Sequence, residues 1–351
     1  MKYLIVAAKT GGHIFPAKAV SEQLIKTNNE IVLLGIGNEI EKNAYKDLNS
    51  KLYKLSIDGF RGQRIFKKFF VIYQIISCII KVLKIIKKEN VDVMIGFGGF
   101  ICIPAGLAMF IKKLPIFIHE QNAVMGSANR FLSKIAKINF LAFPIKNINR
   151  SIISGNPVRR LFINNNFKEF DRTDNEIRIY VTGGSQGAQY LNEELPRVFK
   201  KLSCFIKIKH QCGKNNLNKV NNLYKKQGID AETCEFYNDP SKQILWSDFV
   251  ISRAGALTLS EIISLKRGSL MIPLPTSIDN HQLENAKSIQ RMGMGILHEE
   301  GYGKEKLINS LQDLINNRLY IDWKNHNKNN HVNATNIIIN KIESYFKNET
   351  F

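Results

Sequence analysis

Residues 177–188 read Ile177-Arg178-Ile179-Tyr180-Val181-Thr182-Gly183-Gly184-Ser185-Gln186-Gly187-Ala188. A short β-prone run passes into a glycine-rich turn, and a helical pattern follows. This strand–loop–helix unit comes after a break at Gly155-Asn156-Pro157 and a polar stretch at 164–176. The same unit opens the chain, where Lys2–Ala7 runs toward Thr10-Gly11-Gly12-His13. After the first start, strands are expected at 2–7, 30–35, 51–56, 91–96, 115–118 and 138–142. After the second, they are expected at 177–182, 204–209, 233–236, 249–252, 269–272 and 294–297. Strands alternating with helices imply parallel sheets covered on both faces. Two such runs around a polar linker imply two doubly wound, Rossmann-like α/β domains. Sheets facing each other would leave a cleft lined by strand-end loops.

Composition agrees with this reading. A chain of 351 residues is long enough for about two domains. The 44% hydrophobic fraction excludes a disordered chain, and 23 Gly with 9 Pro exclude a collagen-like one. Five scattered cysteines (Cys78, Cys102, Cys204, Cys212 and Cys234) show no Cys-x-x-Cys spacing. Neither a zinc site nor a disulfide framework is indicated. The apolar stretch after Met1 is too short for a signal peptide and reads as a buried strand. The net charge of +20 is concentrated in residues 1–150, which hold 23 Lys and Arg against 9 Asp and Glu; the remainder holds 27 against 21. Biased Lys, Asn and Ile usage explains part of this. A negatively charged partner is the sharper explanation. Nucleic acid is not expected, because no aromatic–basic stacking motif or known module is present.

The motifs fall at strand ends. Glycines in Thr10-Gly11-Gly12-His13 permit close backbone approach, the helix start offers N–H groups to an anion, and His13 is suited to act as a general base. The dinucleotide fingerprint and the P-loop are both absent. Gly96-Phe97-Gly98-Gly99 follows another strand. His119-Glu120-Gln121-Asn122 places an imidazole, a carboxylate and two amides after a third. Gly183–Ala188 suits a diphosphate. In Arg253–Glu261, Thr258 and Glu261 have the spacing of a helix capping box, or else Glu261 accepts two hydrogen bonds from a ribose diol. Gln282 and Asn285 share a helix face, and their amides suit sugar hydroxyls. No Asp-x-Asp motif calls for a metal, and no cofactor is expected.

Taken together and in order, Thr10–His13, Gly96–Gly99, His119–Asn122, Gly155–Arg159, Gly183–Ala188, Arg253–Glu261 and Asp279–Asn285 closely resemble the MurG family of bacterial N-acetylglucosaminyltransferases. The resemblance implies a GT-B fold. Residues 1–158 would form an acceptor and membrane-facing domain, joined by a final helix at about 332–349, and residues 159–331 would bind the UDP-sugar. It implies inverting transfer of N-acetylglucosamine from UDP-N-acetylglucosamine to the C4 hydroxyl of the muramic acid of lipid I, giving lipid II. His13 would be the base, with Glu120 as alternate or orienting group. The donor set carried over is Thr10, Gly11, Gly12, Asn122, Arg159, Ser185, Tyr237, Ala256, Leu257, Thr258, Leu259, Ser260, Glu261, Gln282 and Asn285. Within it, Glu261 would hold the ribose and Gln282 the sugar. The family's first loop usually reads Gly-Gly-Thr-Gly-Gly-His, and here Ala8 and Lys9 replace two glycines. Other GT-B enzymes on glycolipid acceptors, UDP-N-acetylglucosamine 2-epimerases and a non-catalytic sugar-nucleotide binder are the competing readings.

Residues 59–88 carry eight Lys or Arg and no acid. Lys67, Lys68, Lys81, Lys84, Lys87 and Lys88 flank a run rich in Phe and Ile. The uncharged run Phe69–Ile80 is too short to span a bilayer. A basic amphipathic surface favours anionic lipid, so peripheral attachment to the cytoplasmic face of the inner membrane is expected.

Overall fold

The computed structural model describes residues 1–57, 65–164, 176–326 and 331–349, without the side chains of 65–71 and 349. Arg61, Arg64, linker residues 165–175, the Asn-rich residues 327–330 and the side chains of Phe66, Lys67, Lys68, Phe69 and Phe70 lie outside the described residues. The chain divides into two units, Met1–Arg159 with Asn330–Phe351, and Arg160–Asn329.

The first unit contains β1 (Lys2–Val6), α1 (Gly11–Lys26), β2 (Glu30–Gly35), α2 (Glu39–Tyr45), β3 (Leu52–Lys54), α3 (Ile65–Glu89), β4 (Val93–Gly96), α4 (Cys102–Ile111), β5 (Ile116–Glu120), α5 (Ser127–Leu132), β6 (Ile138–Leu141) and β7 (Ser151–Ile153). The strands form one sheet in the order β3-β2-β1-β4-β5-β6-β7, and every pairing is parallel. Strand alternation explains its two cores. Leu4 and Val6 face Val82, Ile86, Ala105, Met109 and Leu132. Tyr3 and Ile5 face Ile14, Ala17 and Leu24 of α1. The one strand not expected from sequence is β7. It has three residues, two of them exposed, and so lacks the apolar run that marks its neighbours.

The second unit contains α6 (Arg160–Ile163), β8 (Ile177–Thr182), α7 (Gln189–Phe199), β9 (Ile206–Gln211), α8 (Leu217–Gln227), β10 (Ala231–Cys234), α9 (Pro240–Trp246), β11 (Phe249–Ser252), α10 (Ala256–Ser264), β12 (Ser269–Met271), α11 (His281–Arg291), β13 (Gly295–Leu297), α12 (Lys304–Asn316) and α13 (Leu319–Asp322). Its sheet has the order β10-β9-β8-β11-β12-β13, again parallel. Strand β9 lies two residues later than expected and β10 two residues earlier. In both sheets the order reverses beside the first strand, the switch point where open α/β sheets bind ligands.

The last helix, α14 (Ala334–Glu349), belongs to the first unit. Ile338, Ile339 and Ile342 join the α1 side of the core, and Tyr345 meets Phe117 edge-on at 5.5 Å. His331 leads into it, accepting the Asn156 N–H on Nδ1 at 2.8 Å. All five cysteines are free.

Candidate functional site

In the first unit, Thr10, Gly11, Gly12 and His13 lie between β1 and the first turn of α1. Thr10 is the N-cap residue, but its side chain makes no capping hydrogen bond. His13 Nδ1 lies 2.8 Å from the Ala8 carbonyl. A carbonyl only accepts, so Nδ1 carries the hydrogen and the basic lone pair of the neutral ring is on Nε2. Gly98 makes room for that ring: at φ +102°, a Cβ there would come within 2.9 Å of Nε2.

The second polar cluster follows β5. Glu120 is buried. Its Oε1 accepts from the Asn122 backbone N–H at 3.0 Å and from Asn122 Nδ2 at 3.1 Å. Its Oε2 accepts from the Gly126 N–H and Asn129 Nδ2, both at 2.9 Å. The carboxylate therefore clamps the loop that carries Asn122. His119 is buried beside it, with Nε2 donating to the Gly155 carbonyl at 3.0 Å. Burial lowers its pKa to about 4, with the neighbouring His13 adding to the fall. The ring is thus neutral and ties β5 to the loop after β7. Arg159 stacks over Phe15 at 5.3 Å.

In the second unit, a cavity of about 690 Å³ lies at the strand ends, lined by Gly183, Gly184, Gln186, Gly187, Arg253, Thr258, Leu274, Gln282 and Glu300 among others. The glycine loop is held tightly from below. A Cβ on Gly187 would lie 2.1 Å from the Cys212 carbonyl oxygen, and one on Gly183 would lie 2.4 Å from Ala188 N. Above Gly184, at φ +80°, there is open space. Gln211 supports the loop from β9: Nε2 donates to the Gly184 carbonyl at 3.0 Å, while Oε1 accepts the Tyr237 backbone N–H at 3.1 Å. Ser185 is exposed on the loop.

Helix α10 starts at Ala256 with Gly255 as N-cap residue and no side-chain cap. This overturns the capping-box alternative, because Thr258 is already inside the helix and lines the cavity. Glu261 is buried on α10. Leu259 is core, and Ser260 Oγ donates back to the Ala256 carbonyl at 2.8 Å. Leu257 is half-buried. Gln282 Oε1 accepts the Leu274 N–H at 2.9 Å, which leaves its NH₂ group as the donor at the cavity wall. Asn285 does not share that role: it is fully buried and gives Nδ2 to the Ala254 carbonyl at 3.1 Å. The Tyr237 hydroxyl is taken up by Glu232 at 2.7 Å. Arg253 has a role that its place in the Arg253–Glu261 motif does not reveal. Its Nη1 donates to the Ile272 carbonyl (3.1 Å), the Pro273 carbonyl (3.2 Å) and Glu300, joining three strand ends. Among the described residues, no group of three or more His, Cys, Asp or Glu is placed to hold a metal ion.

The chain with these two parallel α/β sheets belongs to glycosyltransferase family 28. The family's N-terminal domain matches residues 3–140 and its C-terminal domain residues 178–340. More narrowly, the chain belongs to the MurG family, the UDP-N-acetylglucosamine–N-acetylmuramyl-(pentapeptide) pyrophosphoryl-undecaprenol N-acetylglucosamine transferases. It is 37% identical to the Aliivibrio salmonicida member over 90% of this chain and 88% of that one. It is 33% identical to an Acinetobacter baumannii member over 90% and 89%. The crystal structure of Acinetobacter baumannii MurG superposes with a TM-score of 0.84 at 31% identity, covering 98% of this chain and 99% of that one. The fold is accordingly GT-B. A UDP-GlcNAc 2-epimerase from Neisseria meningitidis shares the fold alone, with a TM-score of 0.66 at 16% identity over 98% of this chain and all of that one.

Proposed function

We propose that this chain transfers N-acetylglucosamine from UDP-N-acetylglucosamine to the C4 hydroxyl of the muramic acid of lipid I, forming lipid II. The observation that carries the reading is near full-length kinship, at 37% identity, with an enzyme named for that transfer. In this mechanism the acceptor oxygen bonds to C1 of the donor sugar with inversion. The bond from C1 to the diphosphate breaks, and its electron pair leaves on UDP. His13 Nε2 takes the hydroxyl proton. Glu120, with both oxygens engaged, acts by orienting the Asn122 loop. Gly184 N–H donates to Thr182 Oγ1 and Gly187 N–H to the Gly184 carbonyl, both at 3.1 Å, so charge growing on the leaving diphosphate is met by the N–H groups of Ser185 and Gln186, the Ser185 hydroxyl and the uncapped start of α10. Glu261 holds the ribose, the backbone at Tyr237 meets the base, and the Gln282 NH₂ meets the sugar. Thr10, Gly11, Gly12, Asn122 and Arg159 belong to the proposed donor-binding residues.

The acceptor of the relatives is undecaprenol-linked by name, and the reading includes attachment of the first unit to an anionic membrane surface. Helix α3 supports it. Ile72, Tyr73, Ile76 and Ile80 are about half exposed or more, next to exposed Lys81, Lys84, Lys87 and Lys88. No helix of the described residues is long and apolar enough to cross a membrane. The deciding experiment is transfer of labelled N-acetylglucosamine to a lipid I analogue. Label appearing in the analogue, with one UDP released per sugar, is expected. Consumption of UDP-N-acetylglucosamine without any acceptor would instead favour an epimerase.

A further inference from the structure

We propose that His210, a buried imidazole that takes no part in the transfer itself, is a positioning residue for the donor: acting through Asn192 and the Cys212 carbonyl, it fixes the glycine loop that meets the leaving diphosphate. The assignment rests on the activity proposed above. His210 lies on β9, paired with Val181 of β8 and Thr233 of β10, and it is fully buried. An imidazole at such a place costs stability unless its nitrogens find partners. Both do. Nδ1 lies 2.9 Å from the Tyr224 hydroxyl of α8, and Nε2 lies 3.0 Å from Asn192 Oδ1 of α7. Asn192 Nδ2 in turn donates to the Cys212 carbonyl at 2.9 Å.

The direction of each bond follows from that last contact. A carbonyl only accepts, so the NH₂ end of Asn192 faces Cys212 and its oxygen faces His210. Nε2 therefore carries the hydrogen, and Nδ1 accepts from the Tyr224 hydroxyl. Burial lowers the pKa of the ring to about 3, which keeps it neutral and the pattern intact at neutral pH. The chain of bonds ends under the donor site. The Cys212 carbonyl is the atom on which Gly187 rests, so closely that a Cβ there would lie 2.1 Å from it. Asn192 stands on the helix that leaves the glycine loop, and its N–H caps the Ala188 carbonyl at 2.9 Å. One amide thus ties the exit of the loop to its floor, and His210 holds that amide by its oxygen. Gln211, the next residue of β9, grips the same loop at Gly184. Support of this kind keeps the Ser185 and Gln186 N–H groups at a fixed height for the diphosphate.

The test measures donor KM and acceptor KM with a lipid I analogue, UDP affinity by calorimetry, and melting temperature, for wild type and four variants. His210→Leu is expected to raise the donor KM and weaken UDP binding about tenfold with the acceptor KM unchanged. His210→Gln supplies an N–H to Asn192 and should recover most of the loss. Asn192→Asp keeps an acceptor for His210 but offers no N–H to the Cys212 carbonyl, so it should share the donor defect. Tyr224→Phe leaves the two bonds nearer the loop in place. It should melt at a lower temperature while its donor KM stays near wild type. Donor and acceptor KM rising together, a donor KM that follows melting temperature through all four variants, or wild-type UDP affinity in His210→Leu would overturn the assignment. If His210→Leu does not fold, Asn192→Asp against Tyr224→Phe decides, and equal donor KM in those two would overturn it. A wild-type protein that binds UDP but transfers no sugar to the analogue would overturn the reading of function instead, and the UDP affinities of the variants would still decide what His210 does to the loop.

Discussion

His13 shows how one backbone contact decides a side chain's chemistry. With Nδ1 committed to Ala8, the ring presents Nε2 as its basic atom. We expect His13→Ala to lower kcat by about a hundredfold or more while UDP-N-acetylglucosamine affinity, measured by calorimetry, is largely retained; near-normal turnover would remove His13 from the role of base. Three other imidazoles are buried. Burial lowers the pKa of His119 to about 4, and those of His210 and His331 to about 3. Each is neutral in the fold and protonates on unfolding below its ordinary value of 6.5. The unfolded chain then binds the extra proton, so stability is full above about pH 6.5 and falls as pH drops toward the folded values, by about 1.4 kcal/mol per pH unit for each group. Urea midpoints between pH 7 and pH 5 should decline steadily; a flat profile would show that these rings are already paired with a proton in the fold. Sequence could nominate His13 from its place after a glycine turn. What it does not show is that His119 is sealed away from solvent, which only packing reveals.

At the scale of elements, the strand-end loops are fixed by what lies beneath them. In the glycine loop of the second unit, a side chain on Gly187 would collide with the Cys212 carbonyl at a position already at φ +74°. Gly187→Ala should lower stability by more than about 1 kcal/mol and weaken UDP binding at the same time. Gly184→Ala has open space above it and only the backbone strain to absorb, so it should cost less; equal losses from the two would argue against the packing account. Loops were legible from sequence where glycines mark a turn after an apolar run, as at Gly183–Gly187 and Thr10–His13. Their supports were not. Nothing in a linear reading says that Gln211, at the end of a different strand, holds Gly184 and Tyr237 in place, or that Arg253 gathers three strand ends. Such contacts join residues 19 to 47 positions apart in sequence. The short strand β7 carries no apolar periodicity, and sheet pairing alone defines it.

Across the whole molecule, charge and exposed apolar surface gather on the first unit. Sedimentation with vesicles should show stronger binding to anionic than to neutral lipid at low salt, with the difference lost at high salt. Replacing Ile76 and Ile80 together with Ser should weaken the part that survives high salt. Equal binding to both vesicle types at low salt would count against the electrostatic half of that reading. The doubly wound architecture of both units was legible because short β-prone runs, mostly apolar as in β1, β2 and β11, alternate with helical patterns, whereas membrane attachment needed the structure to show which α3 residues face outward. One consequence follows from α14. The first unit is assembled from two ends of the chain, and its α1 side lacks Ile338, Ile339 and Ile342 until those residues have been synthesised. On the ribosome, the nascent first sheet therefore stays open on that side while all of residues 160–329 are translated, and it is closed only when the final helix emerges.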